Sequence, residues 1–283
     1  MTLREALNEA AGTIARRDAE VLAQHVLARD RSWLMAHPEA ELGEDDLSQL
    51  RALVTRRAAE EPLQHLTGVQ EFFGRPFEVN GDVLIPRPET ELLVEAALDW
   101  AHGHTGEPLR ILDVGTGSGA IAVTLALELP NAVVTAVDLS PAALAVAQRN
   151  AQQLGATVRW LESDLLAALA PLSGSFDVIV SNPPYIPLSD APTLAREVVA
   201  HEPHLALFAG DDGLEVYRRL IPQAHTALSP GGLLAMEFGF GQRNALQELF
   251  AAQTSPEGNA LWTAPRFLDD YAGIPRIVLA ERI

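Results

Sequence analysis

The sequence predicts an α/β fold: a mainly parallel sheet covered by helices on both faces, preceded by a small helical bundle and a two-stranded connector. Three observations predict it. Beyond Leu109, short β-prone apolar runs alternate with helical patterns, the rhythm of βαβ units. The first seventy or so residues carry only helical periodicity. Between these regions, Phe72, Phe73, Phe77, Val79, Val83, Leu84 and Ile85 cluster around Asn80-Gly81-Asp82, and Asn-Gly between β-prone runs is a hairpin signal. The chain has 283 residues, 48% hydrophobic and 20% charged, enough apolar material for one or two domains with real cores.

The elements follow in order. Leu3, Ala6, Leu7 and Ala10 share one helix face. A second set, Ala19, Leu22, Ala23, Val26 and Leu27, does the same, with Asp18 placed as its N-cap. Leu47, Leu50, Leu53 and Val54 repeat the pattern after the acidic start Glu44-Asp45-Asp46, which suits the positive end of a helix. Short helices separated by turns such as His37-Pro38-Glu39 make a bundle. Pro86-Arg87-Pro88 stops any strand. Glu89-Thr90-Glu91 then opens a helix reaching about Trp100, and these two acids read equally well as first-turn residues or as part of a lid. Strands are expected at Arg110 to Val114, Ala132 to Val137, Val158 to Leu161, Phe176 to Val180, Gly232 to Glu237 and Arg276 to Ala280. Helices run from Ala120 to Leu129 and from Pro141 to Leu154.

Composition removes several chemistries. All 20 basic residues are Arg, so a phosphate-loop lysine and lysine Schiff-base catalysis are excluded. Cys is absent, which excludes disulfides, thiolate nucleophiles and zinc ribbons. The formal net charge of −18 argues against broad binding to a nucleic-acid backbone, which needs a basic surface. The N-terminal stretch MTLREALNEAAG has no apolar export core, and the longest apolar run, Ala120 to Leu129, is about half a membrane span. A cytoplasmic protein is therefore expected. The eight His do not show metal-ligand spacing, and Gly117-Ser118-Gly119 lacks the frame of a nucleophile elbow; no metal site is expected.

Two motifs carry chemistry. Asp113-Val114-Gly115-Thr116-Gly117-Ser118-Gly119 ends a strand and opens a helix, and its glycines let backbone turn tightly against a ligand. Asp138 closes the second strand, where a carboxylate accepts from ribose hydroxyls. Together they predict a nucleoside-containing cofactor at the carboxyl edge of the sheet. Gly115, Gly117 and Ala120 also satisfy the loose dinucleotide fingerprint, so a nicotinamide or flavin enzyme stays open at this point. Ser163-Asp164-Leu165 follows the third strand, where a carboxylate meets an adenine amino group. The fourth strand ends in Ser181-Asn182-Pro183-Pro184-Tyr185. The two prolines have no N–H, so this turn offers carbonyl acceptors without competing donors, and Asn182 adds another acceptor. An NH₂ group held there has both hydrogens bound, and Tyr185 supplies a flat wall for a planar group.

The glycine loop, Asp138 and Asn182-Pro183-Pro184-Tyr185 resemble the class I S-adenosylmethionine-dependent methyltransferases that modify planar nitrogens. More narrowly, the chain resembles the PrmC/HemK family, the protein-(glutamine-N5) methyltransferases of peptide chain release factors. The likeness runs nearly end to end. It takes in Gly68 to Phe77, Leu84-Ile85-Pro86-Arg87-Pro88-Glu89-Thr90-Glu91, Val180 to Ile186, Glu202-Pro203 with Leu205-Ala206-Leu207, and Gly231 to Leu234 with Glu237. It implies a Rossmann-like, seven-stranded mainly parallel sheet, with a helical substrate-recognition domain over 1–70, a β-hairpin linker over 71–88 and a methyltransferase domain over 89–283. It implies S-adenosyl-L-methionine as cofactor, bound by Gly115, Thr116, Gly117, Ser118, Gly119, Asp138, Asp164, Leu165 and Asn182. Leu165 stands where the family often carries an aromatic ring, so apolar contact rather than stacking is expected there. Asn182 would be the catalytic contact, and with Pro183, Pro184 and Tyr185 it would hold the substrate glutamine of a Gly-Gly-Gln tip. The implied partner is a release factor met by a monomer, with no direct nucleic acid and no membrane. A ribosomal-protein glutamine methyltransferase and a nucleic-acid amino-group N-methyltransferase are the alternatives, the second disfavoured by the net charge.

Overall fold

A computed structural model describes residues 1–104, 108–169 and 176–283. The chain begins with helices α1 (Leu3–Ala11), α2 (Arg16–Leu27), α3 (Arg31–Ala36), α4 (Glu44–Ala58) and α5 (Leu63–Thr67). A two-stranded sheet of β1 (Val69–Phe72) and β2 (Arg75–Glu78) follows, then α6 (Pro88–His102). The alternating part comprises β3 (Arg110–Val114), α7 (Ala120–Glu128), β4 (Val133–Asp138), α8 (Pro141–Leu154), β5 (Arg159–Glu162) and β6 (Phe176–Ser181). It ends with α9 (Arg196–His201), α10 (Glu215–Ala227), β7 (Leu228–Glu237), α11 (Arg243–Ala251), β8 (Arg266–Asp269) and β9 (Pro275–Glu281). Among the described residues no helix is long and apolar enough to cross a membrane.

The chain divides into two compact units that are not contiguous in sequence. One is Met1–Val69 with Ala195–His201; the other is Gln70–Leu194 with Glu202–Ile283. In the first unit α1 opens with a reciprocal cap: the Thr2 hydroxyl accepts from Glu5 N–H at 3.3 Å, and Glu5 Oε2 accepts from Thr2 N–H at 2.8 Å. Leu3, Leu7, Leu22, Leu50 and Leu53 share its core. Asp18 is not the cap of α2. That helix starts two residues earlier, with Ala15 at the cap position and no side-chain cap bond. Asp18 instead lies in the first turn and accepts from Arg57 at 2.7 Å. Arg57 also donates to Glu197 at 2.9 Å, fastening the Ala195–His201 excursion to this unit.

The second unit is built on a seven-stranded sheet in the order β5-β4-β3-β6-β7-β9-β8. The pairs from β5 through β7 are parallel, and β9 runs antiparallel to both neighbours. Alternate residues feed two cores, one on each face. Ile111, Val178 and Leu233 pack with α6 and α7, whereas Leu112, Ile179 and Leu234 pack with α10 and α11. Central strands buried on both faces read as continuous apolar runs, which is why β3 and β6 are legible. Because β3, β4, β6 and β7 are parallel, their carboxyl ends meet at one edge, and the loops there are brought together.

The connector differs from the expected hairpin. Its turn is Phe73–Gly74, both in the left-handed region at φ 52° and 71°, as a two-residue hairpin turn demands. Glu91 Oε1 accepts from Phe73 N–H at 2.8 Å, so this acid anchors the turn to the start of α6. Asn80 makes an Asx turn instead, its Oδ1 accepting from Asp82 N–H at 2.9 Å, and Val83 to Ile85 form no strand. The segment after β2 is held by Asn150 of α8, which is fully buried. Its Oδ1 accepts from Glu78 N–H at 2.6 Å and its Nδ2 donates to Glu78 O at 3.0 Å.

Candidate active site

A cavity of about 390 Å³ lies at the carboxyl edge of the sheet, within the range that buries a cofactor-sized ligand. The glycine loop forms its floor. Gly115 and Thr116 N–H both donate to Val137 O, which ties the end of β3 to β4. Gly115 and Gly117 hold φ of 75° and 56°, and a Cβ on either would meet nothing within 4 Å. Gly119 is different: its Cβ would lie 3.0 Å from Ala147 Cβ, so its small size is needed for packing α7 against α8. Ser118 O accepts from Asn150 Nδ2 at 2.8 Å. Asn150 thus joins connector, helix and glycine loop in one hydrogen-bonded set.

Two carboxylates lie under and beside this loop. Asp113 is completely buried; it accepts from Thr116 Oγ1 at 2.6 Å and from Ala122 N–H at 3.2 Å, both on Oδ2, while Oδ1 has no partner among the described residues. Burial pushes its carboxyl up to about 7, against the pull of those hydrogen bonds. Asp138 accepts from Gly117 N–H on Oδ2 and from Ser140 N–H on Oδ1, each at 2.8 Å. Burial raises its carboxyl too, with the backbone donors opposing. Each Asp138 oxygen keeps a further lone pair able to accept another hydrogen bond.

The structure brings Gly115, Thr116, Gly117, Ser118, Asp138, Asp164, Leu165, Asn182 and Pro184 to the lining of this one cavity. Gly119, Pro183 and Tyr185 are not part of the lining. Asp164 is paired with Arg219 of α10 at 2.6 Å, both side chains about half exposed, so one of its oxygens is already engaged. Leu165 sits at φ 51°, an uncommon conformation for a branched side chain, and packs on the apolar cluster beneath α10. Asp82, Val83, Leu84 and Pro86 of the connector also line the cavity, as do Pro203, Leu205 and Ala206. Buried Glu202 clasps these two segments: it accepts from Ile85 N–H at 3.1 Å and from the Arg87 guanidinium.

At the end of β6 the polar turn is wired inward. Asn182 Nδ2 donates to Thr90 Oγ1 at 3.1 Å, and Thr90 Oγ1 donates to Glu237 Oε2 at 2.6 Å. Tyr185 donates its hydroxyl to Glu237 Oε1 at 3.2 Å, and burial raises this phenol far above its usual range. Gln242 Nε2 donates to Tyr185 O at 2.9 Å, fixing the turn from behind. Thr90, Glu237, Asn150 and Arg219 are thus site residues to which sequence reasoning gives no role. Their partners lie tens to more than a hundred residues away, and a single Thr, Glu, Asn or Arg has no periodicity that would reveal such pairing. No cluster of three or more metal-ligating side chains occurs among the described residues.

This parallel sheet, with its glycine loop and second-strand carboxylate around one nucleoside-sized cavity, defines a class I S-adenosylmethionine-dependent methyltransferase. Residues 2–68 match the model of the PrmC N-terminal domain, and residues 89–207 that of the methyltransferase small domain. The release factor glutamine methyltransferase of Koribacter versatilis is 43% identical, covering 100% of this chain and 99% of the relative. Those of Bordetella pertussis (48% identical, 93% and 94% covered) and Escherichia coli (46%, 88% and 88%) are also similar. The chain belongs to the release factor glutamine methyltransferase family. Solved structures share the fold at lower identity. A Pyrococcus furiosus methyltransferase has a TM-score of 0.51 at 19% identity, covering 83% of this chain and 98% of that one. A Thermus thermophilus 16S rRNA methyltransferase in complex with AdoMet and guanosine has 0.53 at 21%, covering 76% and 50%.

Proposed function

We propose that the enzyme methylates the side-chain amide nitrogen of the glutamine in the Gly-Gly-Gln motif of peptide chain release factors. The observation that carries this reading is the Asn182-Pro183-Pro184-Tyr185 turn beside the cofactor cavity, with Asn182 donating its NH₂ to Thr90 and so presenting its oxygen as the acceptor for a substrate NH₂. The names borne by relatives at 43 to 48% identity support the same substrate.

The residues divide the work. Gly115 to Ser118 hold the methionine part of S-adenosyl-L-methionine, Asp138 the ribose, Asp164 and Leu165 the adenine, with Gly119 setting the loop against α8. The cofactor supplies an electrophilic methyl on a sulfonium. Asn182 Oδ1 and the Pro183 carbonyl accept the two hydrogens of the substrate carboxamide, and Pro184 and Tyr185 complete its pocket. An amide nitrogen is a poor nucleophile because its lone pair is delocalised. Acceptors on both hydrogens favour the electron-rich, pyramidal nitrogen of the transition state. Most of the acceleration comes from holding the reacting atoms in line and in contact. No general base is needed, since the nitrogen becomes acidic only as it is alkylated and its proton leaves to water. A factor docks as a folded protein on a monomeric enzyme, without direct nucleic-acid contact, and the Met1–Val69 helices recognise its body.

The test is incubation with labelled S-adenosylmethionine and a purified release factor, with the modified residue mapped by mass spectrometry. One methyl on the glutamine, absent when that glutamine is changed to alanine, is the expected result. Label on another residue, or transfer only to RNA or to a ribosomal protein, overturns the proposal.

A further inference from the structure

We propose that Thr90 and Glu237 are positioning residues that set which end of the Asn182 amide faces the substrate. The inference deepens the reading of Asn182 as a carboxamide acceptor and rests on it. Glu237 ends β7 and is buried, 2% exposed. Both its oxygens take hydroxyl protons: Oε2 from Thr90 at 2.6 Å and Oε1 from Tyr185 at 3.2 Å. An ionised carboxylate only accepts. The single proton of Thr90 is therefore committed to Glu237, and the Thr90 oxygen is left as an acceptor. The group of Asn182 that meets it at 3.1 Å must then be the NH₂.

The two orientations of an Asn amide have nearly the same shape, so packing cannot choose between them; the hydrogen-bond network must. Here the choice is made by a buried charge two bonds of the network away. It turns Asn182 Oδ1, the atom a substrate NH₂ needs, away from Thr90. The reversed amide would oppose NH₂ to NH₂ and reject the substrate.

The same logic gives a pH dependence. Glu237 faces Thr90 from α6, Tyr185 from the turn after β6, and Arg276 and Glu89 through space, while Tyr217 of α10 donates to its backbone carbonyl at 2.8 Å. Burial raises its carboxyl, the two hydroxyls and Arg276 pull it back, and Glu89 pushes it up. A protonated Glu237 donates to Thr90. Thr90 is then free to donate to Asn182 Oδ1, which reverses the amide. Activity falls on the acid side as Glu237 takes up its proton.

The experiment compares wild type with Thr90→Ser, Thr90→Val and Glu237→Gln. It measures kcat and KM for a purified release factor across pH, and S-adenosylmethionine affinity by calorimetry. Thr90→Ser should stay within about threefold of wild type, since it keeps the hydroxyl. Thr90→Val and Glu237→Gln should lower kcat by about tenfold or more, while cofactor affinity changes by less than about twofold. Glu237→Gln should also lose the acid limb of the wild-type kcat profile. A Glu237→Gln enzyme with wild-type kcat and an unchanged acid limb overturns the proposal, as does Thr90→Val with wild-type kcat. The second result serves should the buried glutamine prevent folding. In either case the wild type still methylates glutamine, so the functional reading survives; wild type failing to do so would overturn that reading instead.

Discussion

Replacing Gly119 and Gly117 by alanine, one at a time, separates packing of the glycine loop from access to the cofactor. At Gly119 the new Cβ would lie 3.0 Å from Ala147 Cβ, 3.1 Å from Ala147 Cα and 3.3 Å from Trp160 Cη2, at a φ of 81°. The left-handed conformation costs a non-glycine residue about 1 kcal/mol, and overpacking adds about 1–3 kcal/mol. The nearest neighbours are the methyl and Cα of Ala147, which no side-chain rotation can move aside, so little of this relaxes. The total is about 2–4 kcal/mol, which lowers Tm by roughly 4–16 °C in a domain of this size. At Gly117 the φ is 56° and nothing lies within 4 Å of the new Cβ. Only the conformational cost of about 1 kcal/mol remains, a fall of about 2–4 °C. That Cβ instead stands in the space beside the cavity, so the cofactor Kd should rise about tenfold or more, equivalent to about 1.4 kcal/mol. Scanning calorimetry of the free enzyme and titration with S-adenosylmethionine read the two effects separately. Equal losses of Tm, or weakened binding in Gly119→Ala but not in Gly117→Ala, would refute the assignment of one glycine to packing and the other to the ligand.

Other consequences follow from the same geometry. Asp113 has its folded pKa raised from 3.8 to about 7, so between those values the unfolded chain gives up a proton that the fold retains. Stability contributed by that retained proton is present below pH 4 and is lost as pH rises toward 7, at up to about 1.4 kcal/mol per unit; denaturant titrations of Asp113→Asn should show a flatter profile over this window. Asn150→Ala removes three hydrogen bonds and strands backbone groups of half-buried Glu78 and buried Ser118; at about 1 kcal/mol for each stranded group, urea unfolding should register a loss of about 3 kcal/mol, and an unchanged midpoint would contradict the role given to this residue. The −18 net charge should speed encounter with a basic protein. Stopped-flow association with a release factor should slow as salt rises, and an on-rate indifferent to salt would count against this.

What the sequence reveals is what local patterns encode. α8 runs from Pro141 to Leu154 as its pattern predicts, because Ser140 caps it by accepting from Ala143 N–H and Pro141 occupies the first turn. β3 and β6 are evident as apolar runs for a strand buried on both faces. β8 is not: it is a four-residue edge strand, largely exposed, with Arg266 and Asp269 at its ends. The connector turn misleads because Asn80-Gly81 is a stronger hairpin signal than Phe73-Gly74. The native choice is made by Glu91, eighteen residues beyond Phe73, which supplies the acceptor for its N–H. Asp18 reads as a cap, yet its carboxylate is drawn to Arg57, thirty-nine residues on. In the site, the glycine loop and Asp138 are local motifs and legible. Thr90, Glu237 and Asn150 act through contacts that only the folded sheet edge creates.

The most direct test of the central claim is the structure of the enzyme with S-adenosylhomocysteine and a release factor bound. The glutamine carboxamide nitrogen should lie within hydrogen-bond distance of Asn182 Oδ1 and the Pro183 carbonyl, with Asn182 Nδ2 still on Thr90. A carboxamide that points its oxygen at Asn182, or a turn that faces away from the cofactor, would contradict it.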